Sequence, residues 1–241
     1  MATQAVIGQG AWFGAYDLAA YARTLALDYG AELQDDTRLS DTMRKRVAGV
    51  FNCGFSFETV DDPTVEAGLH SAVGTADVPL TVAPNGGAAI GDLAYILRCL
   101  AASSTPIAGA HGEAGKVNVA GFGEPLVRGV IIRNTTLSIA GGAASSGTGY
   151  DYGSAPTGTA WMAAHVLTFS GSGTLDFLLQ SDSESGFSNP LTNVISITPI
   201  TSTGFYFRSG SATQQYWRLR AGATTDSITA RVVCAFGIIE D

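Results

Sequence analysis

The chain has 241 residues, enough to bury a sizeable core as one large β domain or two smaller ones. Apolar residues make up 46% and charged residues only 14%, with a net charge of −8 and a pI near 4.7. That balance speaks against a dedicated nucleic-acid binder, which needs a basic face for phosphates, and points to a surface covered in large part by other copies.

Met1–Tyr16 contains GQGAWFGAY. Two readings fit it equally: a flexible arm anchored by Trp12 and Phe13, or a loop that tucks both rings into its own core. Asp17–Val60 follows as two alternating apolar segments around a polar middle. Tyr21, Arg23, Leu25 and Leu27 share one face of the first, and Phe51, Cys53, Phe55 and Phe57 share one face of the second. A period of two predicts strands with one buried face each. Ala31–Gly49 between them reads as a long extended arm loop of about twenty residues, against the ~4–6 usual in compact domains. It carries Glu32, Asp35, Asp36, Arg38, Asp41, Arg44, Lys45 and Arg46, and its spaced apolar residues Leu33, Leu39, Met43 and Val47 suggest docking on a partner.

One short helix is expected next. Asp62 can cap it, Pro63 fits its first position, Val65, Leu69 and Val73 fall on one face, and Gly74 suits the residue after its end. Val78–Val82 reads as a strand closed by Pro84, Asn85, Gly86 and Gly87. Asp92–Ser103 fits either an amphipathic helix or a strand buried on both faces. Periodicity leans to the helix, and we read a strand. Lys116–Ala120 and Leu126–Ile139 are further strands, with a break at Gly121–Pro125.

Residues 141–160 are dense in Gly, Ser, Ala and Thr and read as a linker or long loop. Trp161–Phe169 and Thr174–Gln180 then flank the turn Ser170–Gly173, the pattern of a hairpin, with Leu175, Phe177 and Leu179 inside. Val194–Thr198, Phe205–Arg208, Tyr216–Ala221 and Ile228–Phe236 follow at the spacing of a sandwich or barrel. Trp217 and Leu219 point inward between Arg218 and Arg220. The fold class is therefore all-β: a β-sandwich or partly closed barrel with one short helix and a long extended arm. Its regions are 1–140 with the arm at 31–49, the segment 141–160, and an antiparallel region at 161–241.

The stretch Tyr16-Asp17-Leu18, Tyr21, Arg23, Leu25, Leu27, Glu32-Leu33, Asp35, Thr37 and Ala48-Gly49 resembles the start of the tail tube (major tail) proteins of long-tailed bacteriophages. VPLTVAPNGGAAIGDLAYIL (Val78–Leu97), GEAGKVNVAGFGEPLVRGVI (Gly112–Ile131) and the strands near the C-terminus extend the resemblance over most of the chain. It is a pattern of strands and turns, not a catalytic signature. The resemblance implies hexameric rings stacked along an axis, with strands lining a channel through which DNA passes without specific binding. It implies partners in the tape measure, tail terminator and tail tip proteins, and a place in the virion tail. On that reading Leu33, Asp35, Asp36, Leu39, Asp41, Met43, Arg44, Lys45 and Arg46 belong to an arm that crosses to a neighbouring subunit or ring. Two other classes remain open: a capsid decoration or head-fibre protein, and a carbohydrate-binding sandwich using Trp161, Tyr206, Tyr216 and Trp217.

No catalytic or metal constellation emerges, and neither enzyme activity nor a cofactor is expected. His70, His111 and His165 lack ligand-type neighbours at useful spacing. No serine sits in a G-x-S-x-G elbow. GAHGEAGK at Gly109–Lys116 resembles a phosphate loop, but its first glycine is one place early and Val117 stands where a hydroxyl is required. The acidic pairs Asp35-Asp36, Asp61-Asp62 and Asp182/Glu184 read as solvated turns. Cys53, Cys99 and Cys234 lie inside apolar segments and read as small buried hydrophobes. There is no secretory leader pattern and no apolar run near the ~18 residues needed to span a bilayer, so we expect host cytoplasm before assembly.

Overall fold

The structure, a computed structural model, describes residues 10–35, 46–60, 62–108, 116–188, 191–224 and 226–240. It is all-β with one helix, as the alternation predicts. The chain forms two compact units interleaved in sequence instead of consecutive halves: 1–21, 77–98 and 127–241 in the first, 22–76 and 99–126 in the second.

The strands in chain order are β1 (Gly10–Phe13), β2 (Tyr16–Asp17), β3 (Ala22–Asp35), β4 (Arg46–Val60), and, after α1 (Pro63–Ala72), β5 (Val78–Ala83), β6 (Leu93–Ala108) and β7 (Lys116–Ile139). They continue as β8 (Ala144–Ser146), β9 (Tyr150–Asp151), β10 (Gly158–Gly171), β11 (Leu175–Asp182), β12 (Thr192–Ile200), β13 (Gly204–Ala212), β14 (Tyr216–Ala223) and β15 (Ile228–Glu240). Residues 92–103, open between helix and strand, are strand in β6.

The first unit is a sandwich. One sheet runs β13-β10-β15-β7-β6-β5-β1-β2, the other β12-β11-β14-β8 with β9 also on β14. Neither closes into a barrel. Between the sheets Phe177, Leu179, Trp217, Leu219, Val232, Cys234 and Phe236 are buried, and Trp217 stacks on Phe236 with ring centroids 5.3 Å apart. Trp217 and Leu219 do point inward. The opposite face of β10 and β15 is buried too: Ala163, Val233 and Ala235 form a second core with Trp12, Ala83, Ile96, Ile131 and Phe207. Trp12 and Phe13 thus lie in the chain's own core, the second of the two readings for the N-terminal segment.

Three expectations change. Strands β10 and β11 are not a hairpin: β10 pairs with β13 and β15, β11 with β12 and β14, so Gly171 and Gly173 carry the chain between sheets. A Cβ at Gly173 would sit 2.1 Å from the Asp226 carbonyl oxygen, so the crossing is tight. Residues 141–160, read as a linker or long loop, are a loop tied to the sandwich: β8 and β9 pair along β14 and β10 begins at Gly158. Strand β7 has no break: it runs through Gly121–Pro125, where a Cβ at Gly121 would lie 2.3 Å from the Leu100 carbonyl oxygen. The glycine there permits close strand approach instead of ending the strand.

In the second unit β3 pairs with β4 and β4 with β7. Cys53, Phe55, Phe57, Val117 and Val119 are buried on one face. Helix α1 begins as predicted: Asp62 accepts a hydrogen bond from the Val65 amide at 3.2 Å, and Gly74 follows the helix at φ +76°. Its buried large apolar residues are Val65 and Leu69, whereas Val73, expected on the same face, lies past the helix end and is exposed. Cys53, Cys99 and Cys234 form no disulfide and are buried, as read from the sequence.

Candidate assembly surface

The β3–β4 hairpin organises the second unit. Its register runs Thr24↔Glu58, Ala26↔Ser56 and Asp28↔Gly54 on one face, with Leu25↔Phe57, Leu27↔Phe55 and Tyr29↔Cys53 on the other. Strand β7 extends both sets: Asn118, Ala120 and Phe122 continue the first, Val119, Gly121 and Gly123 the second. Each row shares a side because directly opposed residues point the same way.

The polar face is built from small side chains. Thr24, Ser56, Glu58, Asn118 and Ala120 line an open groove of about 280 Å³ together with Ser103 and Thr105 of β6. Glu58 pairs with Lys116 at 3.6 Å. Of the acidic residues on this face, Asp28 has no such cation beside it among the described residues. An aromatic breaks the polar pattern: Phe122 is 59% exposed, standing in register with Gly54, where a Cβ would meet only the Gly121 carbonyl oxygen at 4.0 Å. Tyr29, 57% exposed, ends the apolar rows on the other face.

Pairing with β7 stops at Cys53↔Gly123, while β3 and β4 stay paired out to Asp35↔Arg46. Ala31–Asp35 and the first residues of β4 are therefore a two-stranded ribbon, not loop as the sequence suggested. Continuous alternation through Leu33 and Val47 lets the ladder extend. Of the predicted arm residues, Leu33 stands opposite Ala48 and Asp35 opposite Arg46 in backbone register. Asp36, Leu39, Asp41, Met43, Arg44 and Lys45 lie outside the described residues. Among the described residues, β3 is paired on one side only.

The sequence reading missed Tyr29 and Phe122. Parity gave a signal for Phe122: it is the aromatic in the even-numbered row Asn118, Ala120, Phe122, whose other members are small or polar. Assuming a break at Gly121 hid it.

Several titratable groups are held inside the fold. Burial, then the Asp28 carboxylate, pushes the Cys53 thiol up to about 11, and burial pushes Cys234 up strongly. Both stay protonated and unreactive near neutral pH. His165 is fully buried on β10. Its Nδ1 lies 2.6 Å from the Gly14 carbonyl oxygen and its Nε2 2.7 Å from the Thr81 hydroxyl. Burial lowers its affinity for a proton to about 4, against a smaller upward pull from the Gly14 carbonyl. His70 is exposed on α1, and His111 lies outside the described residues. Asp182, expected in a solvated turn, is buried at the end of β11, where it accepts the Glu184 amide at 3.0 Å. No group of three or more His, Cys, Asp or Glu able to hold a metal occurs among the described residues.

Of the rings considered for a sugar platform, Tyr216 is half-buried and the other three pack inward. Trp217 is buried in the sandwich core, Trp161 packs against Phe207 with centroids 5.4 Å apart, and Tyr206 packs on the sandwich core.

No protein family and no curated protein matches the chain. Among solved structures, the virion of a native gene transfer agent particle is similar over 52% of this chain and 98% of its own, at 18% identity and TM-score 0.41. The Dit protein of phage SPP1, a hub of the adsorption apparatus in phages infecting Gram-positive bacteria, covers 95% of this chain and 99% of its own, at 12% identity and TM-score 0.39. The phage p2 baseplate in its activated conformation with strontium covers 95% and 97%, at 8% identity and TM-score 0.35.

Proposed function

We propose that this chain is a structural virion protein, the subunit of the tail tube of a long-tailed bacteriophage, which self-assembles into stacked hexameric rings around a channel for DNA. The observation that carries this reading is the one-sided pairing of β3. An edge strand of fourteen residues offers a row of backbone donors and acceptors that a soluble monomer normally shields. Another copy supplies the cover. A contact between two different edges is heterologous, so it closes into a ring or continues as a filament.

Two further features support the reading. A two-stranded ribbon is marginal alone in water, so Ala31–Asp35 and its partner strand gain from docking on a neighbour. The polar face of the second unit is small and nearly neutral, with its Lys116 engaged by Glu58. Such a face lets a polyanion pass without holding it. The tape measure protein inside, the terminator and tip proteins at the ends, and a role without catalysis belong to the same proposal. So does residence in host cytoplasm before assembly into the virion. No observation on the surface favours the decoration reading over this one.

Sedimentation velocity across a concentration series tests it. Assemblies should grow with concentration, and Thr24→Lys with Ala26→Lys, which place two like charges on the exposed edge strand, should abolish them. A monomer at every concentration overturns the proposal.

A further inference from the structure

His165 joins three elements through one buried ring. It lies on β10, in register with Phe205 of β13 and Val233 of β15. Its two nitrogens reach the turn between β1 and β2 at Gly14 and strand β5 at Thr81. A carbonyl only accepts, so Nδ1 carries the proton and donates to Gly14. In the neutral ring Nε2 then accepts from the Thr81 hydroxyl. The hairpin's other ties run to β5 and the core: β1 pairs with β5, the Gly14 amide donates to the Pro79 carbonyl at 2.9 Å, and Trp12 and Phe13 are buried.

We propose that the His165 bridge is an acid-labile latch that holds the β1–β2 hairpin on β10 and frees it, ahead of the rest of the sandwich, when the ring takes up a second proton. Protonating Nε2 removes the acceptor that the Thr81 hydroxyl uses. The hydroxyl must turn to accept and leaves its own hydrogen buried without a partner. Among the described residues the imidazolium also meets no counter-charge. Strands β1 and β5 contain no titratable residue. On β2 they are Tyr16 and Asp17, both half-buried. On β15 Arg231 is a cation on the same face, and on β13 Arg208 lies on the opposite face by alternation. A buried charge in that setting is relieved by parting the ring from the strands it bridges, and β1 and β2 lie at the end of their sheet's strand order, where opening starts.

Hydrogen exchange read peptide by peptide, corrected for intrinsic rates, tests the latch. With the ring near 4 when closed and about 6.5 when open, the hairpin's opening equilibrium should rise roughly 70-fold between pH 7.5 and 4.5, while β10 and β15 stay protected. His165→Asn, which keeps a donor toward Gly14 and cannot titrate, should remove that response. Uniform loss of protection across the sandwich, unchanged hairpin exchange, or the same response in the variant overturns the proposal. If the variant fails to fold, nitrogen chemical shifts of the wild-type ring decide. Nδ1-protonated imidazole persisting below pH 5 supports the latch, and titration near 6.5 overturns it.

Discussion

Trp217 shows how a single residue holds the sandwich. It is fully buried, stacks on Phe236, and donates its indole N–H to the Gln214 carbonyl at 2.8 Å. Its burial satisfies both demands of the ring, apolar packing and one hydrogen bond. Trp217→Ala should lower stability by about 3–5 kcal/mol in urea unfolding, through lost contacts and an unfilled cavity; a loss under ~1 kcal/mol would place the ring outside the core. Gly121 is the opposite case, where nothing can be added. Gly121→Ala brings a Cβ against the Leu100 carbonyl and the Phe55 ring. The expected cost is about 1–3 kcal/mol in the same assay. His165 adds a pH term. Its folded-state affinity, about 4, is depressed below the ordinary value, so its contribution is complete above pH 6.5. Between 6.5 and 4 the unfolded chain takes up a proton that the folded chain does not, and stability falls with pH. The melting temperature of wild type should therefore drop more steeply through that window than that of His165→Asn. Parallel curves for the two would contradict the assignment.

At the scale of elements, helix α1 was legible because each of its signals is local. Asp62, Pro63 and Gly74 do in the structure what their chemistry predicts. Asp62→Ala should cost about 0.5–2 kcal/mol and speed amide exchange at the start of the helix; no change in exchange would show that the cap is idle. The strands were legible for the same reason, since Phe55, Phe57, Leu175 and Phe177 alternate. What the sequence does not carry is which strand pairs with which. Ser170–Gly173 has the composition of a hairpin turn, yet it links two sheets, because pairing is decided by the distant β13, β14 and β15. Ala144–Ser146 looked like linker because an edge strand held by backbone hydrogen bonds needs no apolar side chains. Gly121–Pro125 looked like a break because glycine marks both strand ends and close backbone approach. The candidate surface divides likewise. The hairpin showed in the alternation, whereas the exposure of Tyr29 and Phe122 depends on where the β7 pairing stops.

For the whole molecule, the low charge noted at the outset gains a physical reading. A chain with 14% charged residues keeps little repulsion at its surface, and among the described residues the long edge of β3 has no second strand beside it. These features disfavour a lone monomer and suit a molecule that finishes its sheets in an assembly. On the proposed reading the ribbon is a contact element and not a folding element. Replacing Ala31–Gly49 with Asn-Gly should preserve the three-strand pairing from Cys53 onward, leaving the melting temperature within a few degrees of wild type. The most direct test is negative-stain electron microscopy of concentrated wild-type protein beside that deletion. Hollow tubes or stacked rings from the wild type, and none from the folded deletion, are what a ring-forming β3–β4 hairpin predicts. Compact monomers or trimers from the wild type, or unaltered tubes from the deletion, would contradict it.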